Sequence, residues 1–269
     1  MRSEVFSTPG EVTLSLRVPA GEVELETSSV SETTVEFEAR SGDRDVEEAA
    51  RIELRDRRGR AEVVVEAPRR MLGREEYRVR ITAPEGAHVD ASTASADLEG
   101  RGRFGEVEVA AASGDVAFQN VGGDLKVKTA SGDVAVDAVT GATSVQTASG
   151  DVALGRLAAE GAIRAASGDV TVRETAASLT VQTASGDQSI GSIASGDVRL
   201  QSASGDVSVG IRRGSRLWVD AKSMSGETSS ELDVGDTPQE GEGPVVELRA
   251  TTMSGDIRIA RAPATEAAV

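Results

Sequence analysis

The sequence predicts an all-β protein: a single-stranded β-solenoid (β-helix-like) of 18-residue coils, with a strand-rich N-terminal portion and a C-terminal cap. Three observations carry this. Ser-Gly-Asp returns every 18 residues, in TASGDVAVDAVTGATSVQTASGD at 129–151 and again in VALGRLAAEGAIRAASGD. Apolar residues keep fixed offsets behind each triplet. Aromatic residues make up only 2% of the chain, so any core must spread its burial over many small side chains. Repetition at a constant period indicates a stack of like turns, because a globular fold has no reason to repeat itself. An antiparallel β meander of nine-residue hairpins is the alternative; the alternation of two nonamer types favours the coil.

The first portion, residues 1–90, alternates apolar and polar residues in short runs. Val12, Leu14, Leu16 and Val18 form one run, and PAG at 19–21 reads as its turn before Val23 and Leu25 continue it. Val35 and Phe37, Ile52 and Leu54, Val63 and Val65, then Tyr77, Val79 and Ile81 follow. Period-two alternation of this length means half-buried strands. Residues 45–51, DVEEAAR, interrupt it with a short helical turn, and RDRRGR at 55–60 reads as an exposed hairpin tip.

Residues 91–214 carry the repeats, read in nines from Gly114 as GDVAFQNVG, GDLKVKTAS, GDVAVDAVT, GATSVQTAS and onward. Val109, Val127, Val145, Ile163 and Val181 recur at 18, as do Val116, Val134, Val152 and Val170, with one extra residue near Ala194. Coils stacked about 4.8 Å apart would set each column in register and bury a ladder of like residues. At roughly 25 cal/mol per Å² the stability is then a sum over the array, with little from any one residue. Gly114, Gly132, Gly150, Gly168, Gly186 and Gly205 are the structural turns, where a corner demands positive φ. The neighbouring Ser and Asp are expected to hydrogen-bond the turn's own backbone. Residues 215–262 return to the motif more loosely as the C-terminal cap. Trp218, Met224 and Met253 suit a cover over the last coil, 228–244 reads as an acidic loop, and 263–269 as a disordered tail.

Composition excludes several chemistries. A net charge of −16 argues against nucleic acid and anionic lipid as partners, since both require a basic face. No cysteine is present, so thiolate and disulfide chemistry are absent. His88 is the one histidine and lies in a turn before the repeats, which leaves the many Ser-Asp pairs without a general base. No catalytic residue and no cofactor is therefore assigned, and the chain is not read as an enzyme. Calcium is the one metal worth weighing, because calcium-binding β-rolls also wind nonamers. Asp115, Asp133, Asp151 and Asp169 could form a weak cation ladder, yet one carboxylate per coil is a poor cage for an ion that wants six to eight oxygens. No apolar run suits a signal peptide or a transmembrane segment, and the default placement is cytoplasmic.

The recurrent T-A-S-G-D-V, the opening VTLSLRVPAGEVELET, the central ITAPEGAHVDASTASADLEG and the closing ATTMSGDIRI resemble one bacterial β-strand-repeat family of unknown function. It is known as the toastrack or candidate-adhesin family, and the resemblance spans roughly residues 5 to 262. It implies a non-enzymatic solenoid-like domain, often encoded near envelope-stress sensors or attached to membrane segments. The first functional reading is a scaffold or protein-interaction module that presents exposed strand residues such as Lys126, Lys128, Gln146, Arg164 and Gln182 to another protein. A surface adhesin, a calcium-binding β-roll-like structural protein and a polysaccharide-acting enzyme on a solenoid are the alternatives. Oligomeric state is left open.

Overall fold

The computed structural model describes residues 1–57, 59–68, 75–232 and 243–263, and its contacts divide the chain into two compact units, Met1–Gly141 and Ala142–Val269. Both are all-β stacks of parallel coils, so the chain is a β-solenoid and the meander is excluded for the repeats. Residues 233–242 of the expected acidic loop, Arg58 of the hairpin tip and residues 264–269 of the expected tail lie outside the described residues.

The first unit holds β1 (Arg2–Ser7), β2 (Val12–Ser28), β3 (Glu32–Ala39), α1 (Arg44–Ala49), β4 (Arg51–Arg57), β5 (Arg60–Glu66), β6 (Tyr77–Pro84), β7 (His88–Phe104), β8 (Val107–Ala111), β9 (Val116–Val121), β10 (Leu125–Ser131) and β11 (Val134–Val139). β2 and β7 are whole coils that pair in parallel from Thr13↔His88 to Glu26↔Arg101. On its other side β2 meets β5 over its first half and β6 over its second. β5 and β6 therefore lie outside the coil made by 12–28, reversing sequence order. β8 and β9 continue the stack on β7, and β10 and β11 continue it on β8 and β9.

PAG at 19–21 is not a turn between separate strands but the corner of a continuous coil. Gly21 has φ +117, and a Cβ there would lie 1.9 Å from the Tyr77 carbonyl oxygen. Among the described residues of this unit, antiparallel pairing is confined to β4 on β5, β3 on β6 and β1 on β3, which close this end of the stack. The helical turn forms at α1, where the Asp43 carboxylate accepts the Asp45 N–H at 3.1 Å and caps the first turn.

The second unit holds β12 (Thr143–Ser149), β13 (Val152–Leu157), β14 (Gly161–Ser167), β15 (Val170–Thr175), β16 (Leu179–Ser185), β17 (Gln188–Ile193), β18 (Gly196–Ser204), β19 (Val207–Ile211), β20 (Arg216–Ser225), β21 (Thr228–Ser230), β22 (Val245–Ser254) and β23 (Ile257–Arg261). Coil follows coil at an offset of 18, as Val145↔Ile163 and Ile163↔Val181 show. The offset becomes 19 at Leu179↔Val198, where the extra residue is taken up at a corner with Gly196 at φ +107 and the Ser195 hydroxyl donating to the Ala176 carbonyl at 2.7 Å. Here too sequence order breaks at the end. β22 and β23 stack on β18 and β19, and the earlier strands β20 and β21 stack outside them.

The core is thin and made of ladders. Val152, Val170, Gln188 and Val207 occupy one buried column, and Gln188 is its anomaly. Its Nε2 donates to Thr183 Oγ1 and to the Gln201 carbonyl, both at 2.8 Å, while its Oε1 is buried with no partner. The cost of the unsatisfied oxygen offsets the two bonds, and valine would add the apolar burial that Val170 and Val207 supply on either side, so Gln188→Val is expected to raise stability by about 1 kcal/mol. Thermal unfolding checks this, and a lowered midpoint would refute it.

Candidate functional site

Two features repeat along each stack and could serve function: the corners and the outward strand faces. At the corners Gly114, Gly132, Gly150, Gly168, Gly186 and Gly205 have φ between 116° and 136°. The preceding Thr points inward and bonds forward. Thr129 Oγ1 donates to the Ser131 carbonyl at 2.8 Å, Thr147 Oγ1 to Ser149 at 3.0 Å and Thr252 Oγ1 to Ser254 at 3.2 Å. This accounts for Thr129 and Thr147 in T-A-S-G-D, each filling a core position and satisfying a corner carbonyl with one side chain; Thr183 donates instead to the Ser202 hydroxyl at 3.1 Å.

The Asp side chain reaches beyond its own turn, the place where the sequence reading puts its bond. Its Oδ1 reaches the neighbouring coil and accepts the backbone N–H of the Asp there. In the first unit the Asp115 N–H donates to Asp97 at 3.0 Å and the Asp133 N–H to Asp115 at 2.9 Å. In the second unit the Asp169 N–H donates to Asp151, the Asp187 N–H to Asp169 and the Asp206 N–H to Asp187, each at 2.8 Å. The Asp256 N–H then donates to Asp206 and the Glu227 N–H to Asp256, also at 2.8 Å. The direction of this ladder follows the spatial order of the coils rather than their order in sequence. Stacking like charges is unfavourable; a charge-assisted bond from each backbone N–H offsets it.

These contacts give Asp115, Asp133, Asp151 and Asp169 a structural task. Among the described residues no group of three His, Cys, Asp or Glu side chains is arranged to hold a metal ion. Asp169→Ala removes the acceptor of the Asp187 N–H and is expected to cost about 1 kcal/mol, whereas Asp169→Asn retains an Oδ1 acceptor and should unfold close to the wild type. Equal losses from the two variants would show that the charge, not the bond, matters.

The outward faces carry long polar side chains in register. In the first unit Lys126 donates to Glu108 Oε1 at 2.6 Å, and Lys128 is exposed on the same strand. In the second unit Gln146 and Arg164 are register partners; Arg164 Nε donates to Gln182 Oε1 at 3.0 Å, and Gln182 Nε2 donates to Gln201 Oε1 at 3.0 Å. Gln201 completes this column and the sequence reading missed it, although its offset of 19 from Gln182 marks it. His88 is engaged in the stack, its Nδ1 accepting the Glu106 N–H at 2.9 Å. A cleft of about 1090 Å³ opens at the Pro19-Ala20-Gly21 corner, with Arg17, Glu66, Tyr77 and the unpartnered Thr93 hydroxyl on its wall.

A family model described as Toastrack DUF4097 matches residues 11–260. The chain belongs to the Toastrack family. No curated protein matches this Toastrack chain in sequence. Among solved structures it is similar to a lipid-binding protein candidate from Parabacteroides distasonis, at 13% identity over 96% of each chain with a TM-score of 0.49. An adhesin candidate from the same organism is similar at 14% identity over 96% of each chain, with a TM-score of 0.48. A cell adhesion protein candidate from Clostridium sporogenes is similar at 9% identity, over 97% of this chain and 99% of that one, with a TM-score of 0.32. A non-enzymatic scaffold or interaction module is consistent with membership of the Toastrack family.

The cytoplasmic placement expected from the sequence is withdrawn. The similar structures are described as adhesin candidates and a cell adhesion protein candidate, descriptions at odds with that placement. That placement had rested on the lack of an apolar segment, and this lack does not locate a chain. Among the described residues no helix is long and apolar enough to cross a membrane.

Proposed function

We propose that this Toastrack chain is a non-enzymatic scaffold whose outward strand face binds another protein. The observation that supports the reading is the Arg164–Gln182–Gln201 column, three long side chains linked end to end on the outer face of β14, β16 and β18. Free Arg and Gln side chains lose rotamer freedom when a partner orders them, at roughly 0.5–1.5 kcal/mol each. Here the hydrogen bonds have already restricted them, so a partner meets a surface that is partly ordered in advance. The Gln amides offer donors and acceptors to a partner's backbone, and the Arg164 guanidinium offers donors to a partner's carboxylate, which would pair its charge. The Asp of each Ser-Gly-Asp is engaged in supporting the next coil, which favours the non-enzymatic reading over hydrolysis.

The test is capture of the tagged chain from its native host under gentle crosslinking, beside the variant R164S/Q182S/Q201S. Loss of one co-captured protein by tenfold or more in the variant supports the proposal, and recovery unchanged between the two rejects this face. A membrane-bound stress sensor or its regulator is the first partner to look for, since the family resemblance points there.

A further inference from the structure

Among the described residues, the second unit ends on a strand that is open on one side. β20 pairs in parallel with β22 from Arg216↔Val245 to Ser225↔Ser254, and this is its one ladder partner among the described residues. The Arg216 N–H donates toward β22, to the Pro244 carbonyl at 2.9 Å. Strand alternation then turns the backbone groups of Leu217, Val219, Ala221 and Ser223 toward the open edge. In inner coils the residues that face inward are buried; here Val219 is 38% exposed. Trp218, Met224 and Met253 do not cover this end. They stand outward, and Trp218 lies under Arg249, whose guanidinium carbon is 5.2 Å from the ring centroid. Unpaired edges that carry apolar residues are templates for another strand.

The geometry points to a second copy of this chain as the occupant, joined β20 to β20 in antiparallel fashion about a two-fold axis at Ala221. The sequence RLWVDAKSMS of β20 is self-complementary in that register. Ala221 faces Ala221 of the second copy and Val219 faces Ser223, through backbone groups that point to the open edge; Leu217 falls opposite Ser225, whose carbonyl is turned inward and accepts the Gly255 N–H at 3.0 Å. The intervening positions are the closer, non-hydrogen-bonded pairs of an antiparallel ladder. They set Asp220 against Lys222 twice and Trp218 against Met224 twice, giving two ion pairs and two sulfur–aromatic contacts. Each Lys222 already lies 2.9 Å from Asp220 of its own strand, so the four charges would form one alternating cluster.

Register is specified by the same residues. A slip that moves the two-fold axis to Asp220 sets Asp220 on Asp220, and a slip to Lys222 sets Lys222 on Lys222; like charges directly opposite are destabilising. A slip by one residue of pairing opposes outward and inward side chains and loses both sets of contacts. An isologous contact of this kind closes at two copies and leaves no second edge of the same type. The formal net charge of −16 repels copies at long range, and physiological salt screens that repulsion beyond about 8 Å.

Sedimentation velocity of the full chain at micromolar concentrations in physiological salt tests this. The expected result is a concentration-dependent dimer. Lys222→Asp and Asp220→Lys should each weaken it tenfold or more, and the charge swap D220K/K222D should restore it. Far-UV circular dichroism confirms that each variant keeps its strands, and the restoring swap separates loss of pairing from loss of folding. A wild-type chain that stays monomeric throughout overturns the proposal. So does a dimer indifferent to Lys222→Asp, or a charge swap that fails to restore association.

Discussion

Alanine at Gly186 is expected to lower the stability of the second unit by about 4 kcal/mol, a loss at the large end for a single substitution. Two costs combine. The backbone at Gly186 has φ +128, which L-residues rarely adopt, and such strain is worth about 1–3 kcal/mol. The added Cβ would also lie 2.1 Å from the Gly168 carbonyl oxygen and 2.6 Å from its carbonyl carbon. A backbone carbonyl in a parallel ladder cannot swing away without releasing its neighbours, so the coil must shift as a whole. Gly214→Ala is the control: φ is +82 there, but nothing lies within 4 Å of the new Cβ. Strain alone should then appear, at about 1 kcal/mol. Thermal unfolding should separate the two variants by about 10 °C, since each kcal/mol moves the midpoint of a chain this size by about 2–4 °C. Equal shifts would show that close stacking of the corners adds nothing to backbone strain.

Stacking of the corners is what the Ser-Gly-Asp repeat encodes, which is why so much of the fold is legible in the sequence. A residue that must fit against its own equivalent one coil away has little freedom to vary. Val109, Val127, Ile163 and Val181 therefore keep a spacing of 18 and announce their columns directly. The end coils are less legible for the same reason. Residues 12–28, and the strands β5 and β6 beside them, have neighbours from distant sequence, so no fixed interval marks them. PAG at 19–21 has the Gly of a corner but not the Ser and Asp, and period two alone shows a strand without showing its place in a stack. At the other end the 29-residue offset between Arg216 and Val245 conceals that the later strand lies inside the earlier one. The site was legible only in part. Alternation identifies Lys126, Arg164 and Gln182 as outward residues, whereas the links between them depend on side-chain reach across coils. The Asp ladder was hidden more deeply: a short-range turn bond and a bond to the next coil require the same residue at the same place.

The pair Gly100 and Phe118 gives the second large expected effect. They are register partners on β7 and β9, and Phe118 occupies the column that Val136 continues. A Cβ on Gly100 would lie 2.3 Å from Phe118 Cδ1 and 3.0 Å from Phe104 Cε2, while its backbone is ordinary. Space for the ring, rather than backbone freedom, is therefore the reason for glycine. Gly100→Val overpacks this layer and should cost about 3 kcal/mol. Phe118→Val leaves a void over Gly100 and should cost about 2 kcal/mol. Combined, the two substitutions rebuild a valine column of the kind found elsewhere in the stack, and the double variant should lose only about 2 kcal/mol in place of the additive 5 or so. The remaining loss has a specific origin. Phe104 meets Phe118 edge to face, with centroids 5.1 Å apart and planes at 89°, and that contact disappears with the ring. Chemical denaturation of the four proteins closes the cycle. Additive losses would mean that Gly100 serves the backbone and not the ring, and that the core near this end is more pliable than a register-locked stack allows.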